Sequence, residues 1–286
     1  MDKARIGKFQ VLGTLGTGAH STILHIRRNS DARQYALKIV PIDEKDDEKF
    51  LEQAENEHAV GQMFQHSNLV KIHILEKTRD WLFRVRKVQL LIEYVNGLPL
   101  DKVTGLRLPH LLQIFAQIAS GMAHMHRRGA YHADLKPNNV MLSRVGEVKI
   151  IDYGLAWIKG EPKDRVQGTP EYMAPEQVKK SIVNEQTDIY NFGATMYRLV
   201  TWQLPPNWLT GNAGAPLNEA LFNKLLTPVD EIQPNTPKRL VKLIHSCLSY
   251  KPNRRPERMS DIKDYIDKLA AKYVQSPDDD LDNMNW

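Results

Sequence analysis

The hydrophobic pattern changes period part-way along the chain, and that change restricts the folds open to it. In the first forty residues apolar and polar side chains alternate over Phe9 to Leu15, Thr22 to Arg27 and Tyr35 to Val40, with turns rich in Gly, Asn, Ser and Asp between them. A period of two marks strands, and short turns of this composition join antiparallel neighbours, so the segment reads as a meander. Lys45 to Gln65 has a helical period and many charges. Val70 to Glu76 and Val88 to Tyr94 return to strand character, linked by a long basic connection that carries Arg79, Arg84, Arg86 and Lys87. After residue 97 the helical period takes over. Pro109 to His126 places Leu111, Phe115, Ile118, Met122 and Met125 on one apolar stripe. Short strands are expected near Val140 to Leu142 and Val148 to Ile151, and helices over Thr187 to Thr201, Pro237 to Ser249 and Met259 to Ala271. The expectation is an α+β fold of two lobes meeting at a cleft near residues 93 to 97.

Composition removes several classes. A chain of 286 residues with 42% hydrophobic and 26% charged side chains can bury a substantial core and is not intrinsically disordered. The most apolar long stretch, Leu111 to Met125, is interrupted by Gln113, Gln117 and Ser120, so no membrane span is expected. The first ten residues lack the apolar core of a secretion signal. The single cysteine, Cys247, allows no intramolecular disulfide and suits a reducing, cytoplasmic setting; within Leu-Ile-His-Ser-Cys-Leu-Ser it reads as a buried helix residue. The net charge of +5 is too small to argue for nucleic acid by itself. Asp278, Asp279, Asp280 and Asp282 crowd the end of the chain, so the rest is more basic than the total implies.

Chemistry-bearing residues come in a fixed order. Gly16 and Gly18 lie between two strands, where bare backbone can approach phosphate oxygens; an ordinary hairpin turn fits that segment as well. Lys38 sits inside the apolar strand Tyr-Ala-Leu-Lys-Ile-Val and must either reach solvent or find an anion, because an unpaired buried ammonium is costly. Glu57, on the charged helix, is the candidate partner. In Tyr-His-Ala-Asp-Leu-Lys-Pro-Asn-Asn-Val, Lys136 lies two residues after Asp134 and Asn139 lies five after it, while Asp152 ends an apolar strand further on. Phosphoryl transfer needs an acceptor for the attacking hydroxyl's proton, a cation near the moving phosphate and oxygen ligands for Mg²⁺. Asp134, Lys136 and the pair Asn139 with Asp152 offer these in turn.

From about Phe9 to Ala271 the chain resembles the eukaryotic-type protein kinases. The resemblance rests on the Gly-rich loop, Tyr-Ala-Leu-Lys, His-Ala-Asp-Leu-Lys-Pro-Asn-Asn, Asp-Tyr-Gly, Gly-Thr-Pro-Glu-Tyr-Met-Ala-Pro-Glu, Thr-Asp-Ile-Tyr-Asn-Phe-Gly and Lys-Pro-Asn-Arg-Arg-Pro, all in the family's order. It implies a kinase domain over residues 9–273: a five-stranded antiparallel lobe with one helix over about 9–94, a hinge near 93–97, and a mainly helical lobe over about 98–273. An acidic tail fills 274–286. It further implies ATP, with Mg²⁺ or Mn²⁺, bound by Gly16, Gly18, Ser21, Ile23, Ala36, Lys38, Ile92, Glu93 and Val95, with Asn139 and Asp152 as metal ligands. Asp134, Lys136, Lys38 and Glu57 are the implied catalytic set. Ile92 takes the gatekeeper place, Asp188 would brace the catalytic loop, and Arg255 would pair with Glu176. Lys136 and Thr169 are similar to their counterparts in serine/threonine kinases, which makes Ser and Thr hydroxyls of proteins the expected acceptors. The plain catalytic core looks like a bacterial kinase of eukaryotic type.

Three departures stand out. Ser21 replaces the third glycine of the loop. Ala133 replaces the arginine that many members use to dock an activation-loop phosphate, and no Ser or Thr occurs between Tyr153 and Gly168, so control by phosphorylation there is not expected. Gly61 stands one helical turn after Glu57, where a bulky apolar side chain is usual; a hollow there, filled by Tyr153 or left to loosen the helix, is the expectation. Asn138 and Pro99 are uncharged where basophilic members carry acids, so no strong preference for arginine upstream of the target is expected. A regulatory partner would meet the helix bearing Glu57 or the Arg79 to Lys87 connection. The competing readings are a pseudokinase that binds ATP as a scaffold, a small-molecule phosphotransferase, and a nucleic-acid module using Trp81 and Phe83 among the basic residues.

Overall fold

A computed structural model describes residues 5–18, 20–43, 47–160, 166–178, 183–207, 209 and 217–273. The acidic tail and the expected helix start at Lys45 lie outside these residues. The chain divides into two compact units. The first comprises residues 1–65, 69–96 and 152–154; the second comprises 66–68, 97–151 and 155–286.

The first unit is built on an antiparallel sheet of β1 (Arg5–Ile6), β2 (Phe9–Thr17), β3 (Thr22–Arg28), β4 (Gln34–Pro41), β5 (Ile72–Arg79) and β6 (Val85–Glu93), in the order β1-β2-β3-β4-β6-β5. The sheet therefore has six strands where five were expected. The extra one is the two-residue β1, which pairs with Phe9 and Gln10 and is too short to show any alternation. Alternation sorts the side chains. Ile26, Tyr35, Leu37 and Leu91 form a buried cluster with Phe9, Val11 and Leu24 packed against it. Cross-strand partners share a face. The registers Ile23↔Lys38↔Leu90 and Ala36↔Ile92 thus put Ile23, Ala36, Lys38 and Ile92 together on one face.

The long basic connection expected between β5 and β6 is a tight hairpin instead. Both strands continue past the apolar run, to Arg79 and from Val85, because exposed Lys, Thr and Arg pair across an edge as readily as apolar residues do. Only residues 80–84 form the turn.

Helix α1 (Glu48–Gln62) packs beside β5, and here Gly61 is explained differently from the expectation. No hollow exists. A Cβ at Gly61 would lie 2.9 Å from both Cγ1 and Cδ1 of Ile72, and 3.1 Å from its Cβ. The volume normally supplied by the helix comes from the strand.

The second unit is assembled around two helices buried over most of their circumference, α2 (Leu108–Arg127) and α4 (Glu185–Thr201). The expected stripe on α2 is buried in full, and Leu112, Ile114, Ala119 and Ala123 join it from the other side. Phe115 meets Phe192 of α4 edge-on at 6.2 Å. Short strands β7 (Gly97–Pro99), β9 (Val140–Ser143) and β10 (Val148–Ile150) form one small sheet, and β8 (Ala130–Tyr131) pairs with β11 (Trp157–Ile158). Gly97 is obligatory at its place, since a Cβ would stand 2.0 Å from the Leu142 carbonyl oxygen. The short helices α3 (Pro175–Val178), α5 (Glu219–Leu225) and α6 (Val229–Ile232) and the longer α7 (Lys238–Cys247) and α8 (Met259–Ala270) complete the unit. Cys247 is fully buried and burial pushes its thiol up to about 12, which makes it a packing residue.

The Gly61 geometry gives a direct prediction. Gly61→Leu must displace Ile72 and should lower stability by about 1–3 kcal/mol, the usual cost of overpacking. Gly61→Leu combined with Ile72→Ala should recover part of that loss in thermal unfolding. Equal stability of Gly61→Leu and the parent would mean that the helix has slack.

Candidate active site

In the first unit β4 presents Lys38 and α1 presents Glu57. Lys38 Nζ lies 2.6 Å from Glu57 Oε2 and 3.8 Å from Asp152 Oδ1. Burial opposes the ammonium, but the two carboxylates outweigh it and raise the Lys38 pKa, so the lysine stays charged. Burial raises the pKa of Glu57, and the neighbouring ammonium works against that shift. Asp152 adopts φ +68°, the left-handed region, and its Oδ1 accepts the Gly154 N–H at 3.2 Å. Side chains at such φ cost about 1–2 kcal/mol per residue, so the surroundings must hold the bend.

They do so through the next two residues. Asn56 Nδ2 donates to the carbonyls of Tyr153 (3.4 Å) and Gly154 (3.3 Å). The buried Tyr153 hydroxyl donates to the Val70 carbonyl at 3.0 Å, and its ring meets Phe64 edge-on at 5.6 Å. Tyr153 is therefore anchored by Phe64 and Val70, and it does not fill a space left at Gly61. Tyrosine is tolerated because its hydroxyl finds an acceptor where it is buried.

The remaining first-unit positions lie along the loop and the strand ends. Gly18 N–H closes the β2–β3 turn onto the Ser21 carbonyl at 2.8 Å. Gly16 has open space where a Cβ would stand, while Gly18 faces Ser21 Oγ at 3.1 Å from that point. Glu93 ends β6 and pairs with Tyr35; Val95 follows it beyond the ladder.

In the second unit the residues expected to form the catalytic loop converge. Asp134 Oδ1 accepts the Thr169 N–H at 2.7 Å, and Oδ2 accepts from Lys136 Nζ at 2.9 Å and from Asn139 Nδ2 at 3.2 Å. Lys136 also donates to Thr169 Oγ1. Asn139 reaches Asp134 because Pro137–Asn139 winds into a 3₁₀ turn. Its Nδ2 also donates to the Asp134 carbonyl, at 3.0 Å. Both amide donations leave Nδ2, so Oδ1 is the atom suited to a cation.

Asp188 supports this loop from below. Its carboxylate is fully buried and accepts the backbone N–H groups of His132 and Ala133, each at 2.8 Å, with His126 Nε2 at 2.7 Å. An Asn184 capping box starts α4 and places Asp188 in its first turn, where the helix dipole favours an anion. Ala133, at φ +63°, thus has its N–H fixed. Its carbonyl is fixed as well, by Gln177 Nε2 at 2.8 Å. Gln177 Oε1 in turn accepts from Ala174 N–H (2.9 Å) and Asn191 Nδ2 (3.0 Å). Arg255 holds the same segment through a bidentate pair with Glu176 at 2.6 and 2.9 Å, with its face over the Tyr190 ring.

Sequence reasoning missed Gln177, His126 and Asn56. Each is a polar residue whose importance comes from a partner distant in sequence, a backbone carbonyl for Gln177 and Asn56 and the Asp188 carboxylate for His126, and nothing local marks that. Among the described residues no cluster of three or more His, Cys, Asp or Glu side chains would hold a metal unaided. Asn139 in the second unit and Asp152 in the first each carry a hard oxygen atom, the donor type that suits Mg²⁺.

The protein kinase domain family matches residues 9–266, and the chain belongs to that family. The chain is similar to serine/threonine-protein kinase PrkC of Bacillus subtilis, with 24% identity over 90% of this chain and 40% of that protein. It is 30% identical to CBL-interacting serine/threonine-protein kinase 3 of Arabidopsis thaliana, over 71% of this chain and 47% of the relative. With cAMP-dependent protein kinase type 3 of Saccharomyces cerevisiae it shares 26% identity over 96% of this chain and 70% of the relative. The chain thus spans less than half the length of the bacterial and plant relatives.

His126 yields a pH prediction. Burial alone would lower its pKa, but the Asp188 and Glu185 carboxylates raise it to about 9. The unfolded histidine titrates near 6.5. The stabilisation is therefore complete below about pH 6.5 and is lost as pH rises through about 9, on the order of 3 kcal/mol in all. Denaturant unfolding from pH 6 to 10 should show this decline in the parent and a flatter profile in His126→Gln. Parallel profiles would remove His126 as the cause.

Proposed function

We propose that this chain is an active serine/threonine protein kinase whose activation segment is held without phosphorylation. The observation that carries the reading is the Asp134 cluster, in which one carboxylate is oriented by the Thr169 N–H, Lys136 and Asn139 together. A pseudokinase scaffold has no need of that arrangement.

The proposed reaction moves the γ-phosphoryl group of ATP to a Ser or Thr hydroxyl. The hydroxyl oxygen forms the new P–O bond, the bond to the β-phosphate oxygen breaks, ADP leaves, and Asp134 accepts the hydroxyl proton as the bond forms. Lys136 steadies the charge of the moving group, and Lys38, oriented by Glu57, holds phosphate oxygens. Gly16, Gly18 and Ser21 lie along the phosphates; Ile23, Ala36, Ile92, Glu93 and Val95 receive the base. Mg²⁺ or Mn²⁺, held by Asn139 and Asp152, would neutralise phosphate charge. Most of the rate gain is then positioning and charge stabilisation.

Phosphorylation-independence rests on Ala133 and Gln177. With no arginine at position 133 and no Ser or Thr from 154 to 167, the usual ionic switch lacks both halves. The buried amide of Gln177 supplies a permanent link between the catalytic loop and the segment after Thr169.

Radiolabelled ATP with a generic acceptor protein tests catalysis: Asp134→Asn and Asp152→Asn should each lower kcat by at least about a hundredfold, as expected for groups that contact the reacting atoms. ATP binding by parent protein without transfer would favour the scaffold reading. Phosphatase-treated protein, verified unmodified by mass spectrometry, should keep full activity. Gln177→Met, which leaves the Ala133 carbonyl without its donor, should lower kcat about tenfold with little change in KM for ATP, equivalent to about 1.4 kcal/mol.

A further inference from the structure

The hairpin between β5 and β6 carries a surface that the kinase reading does not use. Its tip presents three consecutive large apolar side chains, Trp81, Leu82 and Phe83, at 85%, 47% and 79% exposure. Trp81 and Phe83 are the most exposed large aromatic residues described. Basic side chains ring them: Arg79, Arg84 and Arg86 are exposed, with Lys87 behind.

The tip is built rather than slack. Asp80 Oδ1 accepts the N–H groups of Leu82 (2.8 Å) and Arg84 (3.0 Å), and Oδ2 accepts Arg86 Nε at 2.9 Å. Backbone bonds join Asp80 N–H to the Arg84 carbonyl and Phe83 N–H to the Asp80 carbonyl, at 2.9 and 3.0 Å. Arg79 Nη1 caps the Phe83 carbonyl at 2.8 Å, and Phe83 sits at φ +60°. The one carboxylate of the turn is thereby consumed inside it. What faces outward is apolar and cationic.

We infer that this tip docks on an anionic lipid surface, with Trp81, Leu82 and Phe83 entering the headgroup region and the arginines meeting lipid phosphates. Three features favour a bilayer over a protein partner. A segment entering lipid must bring its backbone hydrogen bonds with it, and this turn does so through Asp80 and Arg79. The three side chains can bury roughly 500 Å² at most, short of the ~800 Å² per partner that a stable protein interface uses. A bilayer sets no such minimum, because each apolar group partitions and each cation is attracted separately. Tryptophan at the apex and arginine at its base also match the order of a membrane interface, apolar inward and charged at the headgroups. No helix among the described residues is long and apolar enough to cross a membrane.

The test is co-sedimentation of the full chain with phosphatidylcholine vesicles, with and without phosphatidylglycerol. Binding should require phosphatidylglycerol and weaken as salt rises. Trp81→Ser with Phe83→Ser should lower the affinity at least tenfold, and Arg84→Glu several-fold. Both variants should keep the parent's melting temperature and its activity on a soluble peptide. Trp81→Phe should still bind but lose the tryptophan quenching that brominated lipids cause in the parent. Equal binding to neutral vesicles, no binding, or unchanged binding by the double variant would each overturn the proposal. So would a concentration-dependent dimer that only the double variant abolishes, which would assign the tip to a second copy of the chain.

Discussion

The buried carboxylate of Asp188 is the constraint on which the second unit's chemistry depends. A fully buried anion is tolerable only when its oxygens are saturated, and this one accepts two successive backbone N–H groups and a histidine. Two consecutive N–H groups can point at one carboxylate only if the chain turns sharply, which is the φ +63° at Ala133. That turn delivers Asp134 to the Thr169 N–H and to Lys136. Removing Asp188 would expose the cost of the bend and free the loop together, so a helix residue distant in sequence sets the aim of the proposed catalytic base.

The same economy governs Gln177. An arginine that reads a phosphate is a conditional device, because its partner comes and goes with modification. A neutral amide donating to the Ala133 carbonyl is unconditional, since neither group titrates or changes charge near neutral pH. The bond is to the backbone of residue 133 and asks nothing of its side chain. At 2% exposure the site holds a methyl group, and an arginine there would have to leave the packed interior. Asp188 and Gln177 clamp that residue from its two backbone ends, leaving the loop few ways to relax.

Much of this was legible in the sequence, and what was not has identifiable reasons. Long helices such as Leu108–Arg127 and the strands around Lys38 announced themselves by period, and Asp134, Lys136, Asn139 and Asp152 by their spacing. The strands β1, β7, β8 and β11, of two or three residues each, carry too little pattern to show, whereas the equally short β10 is marked by the apolar residues Val148, Ile150 and Ile151. The β5–β6 hairpin reads as a long connection in the sequence because its flanking strands are polar; cross-strand pairing of charged and threonine side chains leaves no hydrophobic trace. Gln177, Asn56 and His126 act through backbone groups 44, 97 and 98, and 62 residues away along the chain respectively, or through a side chain in the last case, and no local window contains both partners.

Gly61 shows the limit most sharply. A glycine in a helix costs about 1 kcal/mol relative to alanine, and by itself it signals a hole. The hole is absent because Ile72, eleven residues later on another element, leans into the space and leaves no room for a methyl group. The change cannot be valued alone: glycine without Ile72 would be a cavity, and Ile72 against a larger helix residue would be a clash. Tyr153 belongs to the same exchange. Its hydroxyl needs a buried acceptor, and the carbonyl it uses is that of Val70, two residues before the isoleucine that fills the gap. Gly61, Ile72 and Tyr153 therefore form one repacking of helix, strand and aromatic ring, whose sum leaves Lys38 and Glu57 paired at 2.6 Å.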